Sequence, residues 1–163
     1  MQVKRRITLT VNGEHYEAEV EARKLLSDFL REDLKLTGTH VGCEHGICGA
    51  CSIIMNGELV RSCLTLAIQA NESDILTVEG LAKDGKLNAV QKAFYEKYGA
   101  QCGFCTPGQV MSAQWLLGRN RSLTEEEIRE FMSGVLCRCT GYHNIIEAVK
   151  AAAQEMQLLV CAD

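Results

Sequence analysis

The sequence lacks the features that mark several large classes of protein. None of its apolar runs approaches the ~18 residues of a transmembrane helix, so we expect no transmembrane segment. It contains neither an internal repeat nor a low-complexity tract, which argues against a fibrous protein. Basic residues are not in excess, because 17 Lys and Arg against 21 Asp and Glu give a net charge of −4. Nucleic-acid-binding proteins usually have a basic surface, so we expect no nucleic-acid partner.

An export signal is also missing from the sequence. Arg5 and Arg6 form a pair, but the alternating residues 7–11 that follow are too short for the apolar part of a twin-arginine signal. We therefore expect a cytoplasmic protein. Cysteines in that reducing compartment are metal ligands or catalytic groups more often than disulfides. The nine cysteines are also an odd number, so complete pairing would leave one over.

The first half of the sequence predicts a small mixed sheet crossed by one helix. Residues 7–20 and 52–62 predict two β-hairpins, because apolar and polar residues alternate on both sides of an Asn-Gly pair in each. Residues 25–34 have the apolar spacing of a helix, and residues 75–78 predict a last strand.

The second half predicts helices only. Residues 79–86 have the glycines and charges of a linker, and a capping box begins at Thr124. The predicted helices cover residues 88–98, 107–117, 125–135 and 144–159. Their apolar spacing predicts buried side chains at Val90, Ala93, Phe94, Tyr98, Ile128, Phe131, Met132, Val135, Ile145, Val149, Ala152, Met156 and Leu159. We therefore predict an α+β protein with two domains, residues 1–78 and an all-α domain of residues 79–163.

Four cysteines of the first half have a spacing that is typical of plant-type [2Fe–2S] proteins. They are Cys43, Cys48, Cys51 and Cys63, in the pattern C-x₄-C-x₂-C…C. Glycines between them let the loop turn its backbone N–H groups toward an anionic cluster. Zinc remains an alternative, because pairs of zinc ligands have similar spacings.

Four more cysteines of the second half form two close pairs. They are Cys102, Cys105, Cys137 and Cys139, in the patterns C-x₂-C and C-x-C. Each pair lies at a predicted helix end, and helix N-termini favour thiolates. A C-x₂-C pair alone is also found in redox dithiols and zinc sites. Two quartets in one short chain favour two clusters.

Three sequence blocks carry a resemblance to a known family. They are Gly42-Cys43-x₄-Cys48-Gly-Ala-Cys51, Gln101-Cys-Gly-Phe-Cys-Thr-Pro-Gly108 and Leu136-Cys-Arg-Cys-Thr-Gly-Tyr142. In their order and spacing, the chain resembles the iron–sulfur subunit of the xanthine-oxidase family of molybdenum hydroxylases over nearly its whole length. The resemblance implies a β-grasp, plant-ferredoxin-like domain followed by an all-α four-helix-bundle domain, each with one [2Fe–2S] cluster.

The resemblance also implies roles, cofactors and partners. The first quartet would bind the outer cluster, nearer FAD, and the second quartet the inner cluster, nearer molybdopterin. Gln101 and Cys139 match positions that contact the pterin. Electrons would pass from a molybdopterin-containing large subunit through both clusters to an FAD-containing medium subunit, in a dimer of heterotrimers. Catalysis on a small organic substrate or CO would take place in the large subunit, so no catalytic residue is assigned in this chain.

Two other functions remain open from the residues alone. A free-standing two-cluster ferredoxin would have the same cysteines, and a zinc-bound structural adaptor would have similar ones. Three places depart from the family pattern, namely Val135 in place of Asn, Gln109 in place of Met, and residues 120–124, which lack the prolines often found there. Arg138, between two predicted ligands, either raises the potential of the inner cluster or pairs with a partner subunit.

Several residues near the cysteines are expected to be structural. His40, His45 and His143 are interpreted as surface or backbone-bonded histidines, and Cys161 as an exposed thiol near the C-terminus. Trp115 and Phe104 are interpreted as packing residues. The second half has many apolar residues near its cysteines, and we expect the surplus to leave an exposed patch. These residues are Phe104, Val110, Trp115, Leu116, Leu117, Leu136, Tyr142, Ile145 and Ile146.

Overall fold

The structure, a computed structural model, describes residues 3–119 and 122–161. Its first half forms a five-stranded mixed sheet in the order β2-β1-β5-β3-β4. The strands are β1 (Lys4–Val11), β2 (Glu14–Glu21), β3 (Ser52–Met55), β4 (Glu58–Arg61) and β5 (Asp74–Leu76). β5 runs parallel to β1 and antiparallel to β3, so it joins the two hairpins into one sheet.

Both predicted hairpins are confirmed. Asn12 and Gly13 have φ angles of 54° and 85°, and Asn56 and Gly57 have 52° and 83°. Positive φ at both central residues is the geometry of a type I′ turn, whose twist matches that of the flanking strands. The Asn-Gly pairs therefore determine where each hairpin turns.

The predicted helix at residues 25–34 is present with an irregular second half. A single turn, α1 (Leu26–Asp28), continues as a π-helical turn over Phe29–Asp33. Leu26, Phe29 and Leu30 are fully buried against the inner face of the sheet.

Four longer helices form the second half, as predicted. They are α2 (Ala89–Glu96), α3 (Thr106–Leu117), α4 (Glu125–Ser133) and α5 (His143–Glu155). Asn88 caps α2, and Thr124 caps α4 in the predicted capping box with Glu127. Helix α3 also packs against β3 and β4. Because strand residues alternate between faces, Ile53 lies in the sheet core and Ile54 packs against the helical core.

Some predicted details are wrong. The last strand ends at Leu76, because a 3₁₀ turn begins at Val78. Tyr98 and Leu159 were expected to be buried but are 77% and 71% exposed. Each lies beyond the end of its helix, where the helical periodicity that predicted burial no longer applies.

The C-terminal segment forms an element that the sequence did not predict. β6 (Leu123–Thr124) pairs in parallel with β7 (Val160–Cys161), and this pairing ties the end of the chain to the start of α4. Within the described residues, no helix combines the length and the apolar character needed to cross a membrane.

Candidate metal centres

The first thiol group consists of Cys43, Cys48, Cys51 and Cys63. Three of these residues lie on the first loop (residues 42–51), which leads into β3, and Cys63 lies in the 3₁₀ turn after β4. The first loop reverses repeatedly through residues with positive φ, which are Glu44, Gly46 and Gly49. These reversals bring the thiols together in two pairs, Cys43 with Cys48 and Cys51 with Cys63.

The first loop creates a local environment that favours negative charge. Its backbone N–H groups, that of Cys48 foremost, donate to Cys43 Sγ and lower the pKa of this thiol to about 6. The distance from the Cys48 nitrogen to Cys43 Sγ is 3.4 Å. Burial has the opposite effect at Cys63 and raises the pKa of its thiol to about 11. The charge of a bound anion would therefore be met by backbone dipoles on the Cys43 side.

The second thiol group consists of Cys102, Cys105, Cys137 and Cys139. The first two lie just before α3, and the last two lie on the Cys137 loop (residues 134–142) between α4 and α5. The thiols again form two pairs, Cys102 with Cys139 and Cys105 with Cys137. The pair of Cys102 and Cys139 is exposed, whereas Cys105 is buried. One edge of this group therefore lies at the surface.

The two less exposed thiols of the second group, Cys105 and Cys137, differ in environment. Burial raises the pKa of Cys105 to about 12. Burial also opposes ionisation of Cys137, but hydrogen bonds with Thr140 prevail and lower the pKa of that thiol. The Thr140 hydroxyl lies 3.0 Å from Cys137 Sγ.

A hydrogen-bond network that includes Tyr142 and Gln109 supports the Cys137 loop. The Cys137 N–H donates to the Tyr142 hydroxyl at 2.9 Å, and this hydroxyl donates to the Val135 carbonyl at 3.1 Å. The same carbonyl accepts a 2.7 Å hydrogen bond from Nε2 of Gln109, which is fully buried. Two of the residues that depart from the family pattern are thus hydrogen-bonded, through the Gln109 side chain and the Val135 backbone carbonyl.

We expect Tyr142→Phe to lower the free energy of unfolding by about 1–2 kcal/mol, because the Cys137 N–H loses its acceptor. Urea unfolding measures the loss. Tyr98→Phe is the matched control, since Tyr98 is 77% exposed, and it should change stability by less than about 0.5 kcal/mol. Equal effects of the two substitutions would contradict a supporting role for the Tyr142 hydroxyl.

The loops of the two thiol groups contact each other directly. The Leu136 N–H donates to the Cys48 carbonyl at 2.9 Å. Gly108 in the first turn of α3 lies so close to Gly49 that a Cβ on Gly108 would be 2.5 Å from the Gly49 carbonyl oxygen. The chain thus brings both thiol groups to one interface between the sheet and the helices.

His40 and Phe104 add an aromatic contact at the same interface. Their rings stack with centroids 5.2 Å apart, and His40 Nδ1 lies 2.7 Å from the Phe104 carbonyl oxygen. The interpretation of His40 as a backbone-bonded residue and of Phe104 as a packing residue is confirmed. Trp115 is also a packing residue, because its Nε1–H donates to the Gly57 carbonyl and its ring stacks on Phe131.

The donor chemistry of both groups fits a [2Fe–2S] cluster. Such a cluster is held by four cysteine thiolates, two for each iron, and each thiol group consists of two pairs in which one thiol affects the pKa of the other. None of the nine cysteines, all of which lie in the described residues, forms a disulfide. In the part of the chain that the structure describes, no three or more Cys, His, Asp or Glu side chains are grouped as a single metal ion would require.

Other predicted residues lie at the surface. Gln101, next to Cys102, and Arg138 are exposed, as are His45 and Cys161. The expected apolar patch is small, because only Phe104 and Leu136 of its nine residues are exposed. The remaining residues are buried or half-buried in the core.

Two family models match the chain in succession. Residues 9–79 match a 2Fe-2S iron-sulfur cluster binding domain, and residues 77–150 match a [2Fe-2S] binding domain. The two matches together cover both thiol groups.

Several known proteins are similar to the whole chain. The caffeine dehydrogenase subunit gamma of Pseudomonas sp. (strain CBB1) is 56% identical over 93% of either chain. The nicotine 6-hydroxylase small subunit of Paenarthrobacter nicotinovorans is 55% identical, over 88% of this chain and 86% of its own. A chain in the crystal structure of quinoline 2-oxidoreductase from Pseudomonas putida 86 matches with a TM-score of 0.90, 48% identity, and coverage of 94% of this chain and 96% of that chain. The chain therefore belongs to the family of iron–sulfur subunits of the molybdenum hydroxylases, the xanthine-oxidase family, and has both of its [2Fe–2S]-binding domains.

Proposed function

We propose that the chain relays electrons through two [2Fe–2S] clusters, between a molybdopterin-containing large subunit and an FAD-containing medium subunit. A [2Fe–2S] cluster, when bound, accepts and releases single electrons. The chain supplies the thiolates, keeps water from the buried ones, and fixes the distance between the two sites. Substrate oxidation would take place in the large subunit, so we assign no catalytic residue to this chain.

Each thiol group is proposed to bind one cluster, and the pairing of thiols supports this assignment. The ligands of the outer cluster would be Cys43, Cys48, Cys51 and Cys63, and those of the inner cluster Cys102, Cys105, Cys137 and Cys139. Each group contains two pairs of thiols, so that each pair can serve one iron.

The hydrogen bond between the loops is the observation that carries the relay. It joins the Leu136 N–H to the carbonyl of Cys48, a proposed ligand of the outer cluster. Leu136 is the residue before Cys137, a proposed ligand of the inner cluster. A route of covalent bonds and one 2.9 Å hydrogen bond therefore connects the ligands of the two sites.

Surface exposure supports the orientation of the relay. The edge of the second thiol group formed by Cys102 and Cys139 is exposed, and Gln101 is exposed beside it. We propose that Gln101 and Cys139 contact the molybdopterin of the large subunit, as the family resemblance implies. The first thiol group would then face the FAD side.

The assembly, domains and location are also proposed. We propose that the chain works in the cytoplasm, in a dimer of heterotrimers, the assembly that the family resemblance implies. We place the domain boundary at residues 78/79, with α2 to α5 as a four-helix bundle around one core.

The relatives named for caffeine, nicotine and quinoline support a small nitrogen-containing ring compound as the substrate of the complex.

Low-temperature EPR of the dithionite-reduced chain, with spins counted against iron, tests the proposed function. We expect two distinct signals of equal weight, one for each thiol group. A single signal would contradict the two-cluster relay, and an EPR-silent protein that contains zinc would favour the structural adaptor. Purification from the native host should yield the chain together with two larger proteins. A chain that purifies alone would favour the free-standing ferredoxin.

A further inference from the structure

We propose that Arg61 is a positioning residue that holds the loops of the two thiol groups at a fixed separation and thereby sets the coupling between the clusters. This inference rests on the proposed relay. Arg61 ends β4, two residues before Cys63. Its guanidinium donates through Nη1 to the Ser52 hydroxyl at 2.5 Å and through Nη2 to the Gly134 carbonyl at 2.8 Å.

The Ser52 side of this contact leads to the first loop. Ser52 follows Cys51 and is 2% exposed. Its hydroxyl accepts from Arg61 and donates to the Gly49 carbonyl at 2.5 Å. The buried Ser52 hydroxyl therefore connects Arg61 to the Gly49 carbonyl. Gly49 lies between Cys48 and Cys51, two cysteines of the first thiol group.

The Gly134 side leads to the Cys137 loop. Gly134 is the C-cap of α4, where the last carbonyls have no partner within the helix and carry the negative end of the helix dipole. A guanidinium at this position satisfies the carbonyl and complements the dipole. Arg61 thus fixes the end of α4 three residues before Cys137.

The two ends of this bridge are in contact with each other. A Cβ on Gly49 would lie 2.6 Å from the Gly134 carbonyl oxygen, so the two peptides are already at their closest approach. One planar guanidinium serves both sides because its N–H groups diverge at fixed angles. A lysine ammonium has the same charge but lacks this fork. The proposed role therefore depends on the fixed directions of the guanidinium N–H groups. Arg61→Lys keeps the positive charge and removes this geometry.

The test uses the full chain loaded with both clusters, as wild type, Arg61→Lys, Arg61→Gln and the control Arg5→Gln. Arg5 is exposed on β1, so its substitution removes the same charge away from the interface. The measured quantity is the dipolar splitting between the two reduced clusters, which falls with the cube of their distance. We expect a smaller dipolar splitting in both Arg61 variants, with the g-values and iron content of each cluster unchanged. Arg5→Gln should match the wild type.

Hydrogen exchange gives a readout that does not depend on the clusters. The Leu136 amide donates across the interface, and its exchange should rise about tenfold in both Arg61 variants, as expected for one lost hydrogen bond. If Arg61→Gln fails to take up iron, Arg61→Lys and Ser52→Ala provide the same comparison. Wild-type splitting and exchange in Arg61→Lys would overturn the inference, because the charge alone would then suffice. A wild-type chain with fewer than two signals would instead overturn the proposed relay.

Discussion

Replacement of Gly49 by alanine should lower the free energy of unfolding by about 2–5 kcal/mol, the sum of backbone strain and overpacking. Gly49 has φ +73°, a left-handed conformation that costs an L-residue about 1–2 kcal/mol. The added Cβ would also lie 2.6 Å from the Gly134 carbonyl oxygen and 2.9 Å from the Val135 Cα. Both contacts are with backbone, which cannot move aside as a flexible side chain can. The loops must separate to accept the methyl group.

Substitutions at two other glycines separate backbone strain from overpacking in this loss of stability. Gly85 has nearly the same φ, +72°, with nothing within 4 Å of its Cβ position, so Gly85→Ala measures the strain alone. Gly108 lies in α3, where alanine is favoured by about 1 kcal/mol, but its Cβ would be 2.5 Å from the Gly49 carbonyl oxygen. Gly108→Ala therefore measures the overpacking without backbone strain, after about 1 kcal/mol is added for the gain in helix propensity.

Urea unfolding of the three variants provides the measurement. We expect Gly49→Ala to be the most destabilised, and Gly108→Ala to be destabilised despite its better helix propensity. If Gly49→Ala and Gly85→Ala lose the same stability, the loops do not press against each other as closely as the structure has them. The hydrogen bonds from Leu136 to Cys48 and from Arg61 to Gly134 would then be the main connections between the loops.

The parts of the fold that local chemistry determines could be predicted from the sequence. Each Asn-Gly pair tolerates positive φ at two successive positions, so both hairpins turn where expected. The capping box from Thr124 to Glu127 satisfies the first amides of α4 within four residues, so the start of that helix could also be predicted.

One error lies where contacts distant in sequence decide. The pairing of β6 with β7 joins segments more than thirty residues apart, and neither segment is long enough to show a periodic pattern. The ends of α2 and α5 come earlier than the apolar pattern indicated, so Tyr98 and Leu159 face solvent. Each helix ends locally, just before a left-handed residue, Tyr98 with φ 53° and Gln157 with φ 60°, and the apolar pattern does not show this change of backbone conformation.

In the candidate sites, too, the sequence predicts the local features but not the long-range contacts. The spacing of cysteines within each short segment is a local property, and it is sufficient to indicate both thiol groups. The contact of those groups depends on long-range approaches, such as Arg61 to Gly134 and Gly49 to Gly108. Arg61 gave no signal in the sequence, because an arginine at the end of a strand is ordinary, and only the position of its two acceptors shows what it joins.

Cys105→Ser should remove one of the two EPR signals and half of the iron, and should abolish electron transfer between the proposed partner subunits. Cys105 is the most buried thiol of the second group, at 9% exposed, and it contacts Cys137. A serine hydroxyl there is a poor substitute for a thiolate on iron. The first thiol group shares no ligand with the second, so the other signal should remain.

The exposed Cys161, which lies on β7 outside both thiol groups, provides the control. Cys161→Ser removes a thiol with the same chemistry and should leave iron content, both signals and electron transfer unchanged. Cys63→Ser should produce the reciprocal result, with loss of the other signal. An unchanged iron content in Cys105→Ser would contradict the assignment of the second group. Loss of both signals would mean that the contact through Gly49 and Gly108 makes one site depend on the other for its shape, since metal binding and folding are coupled.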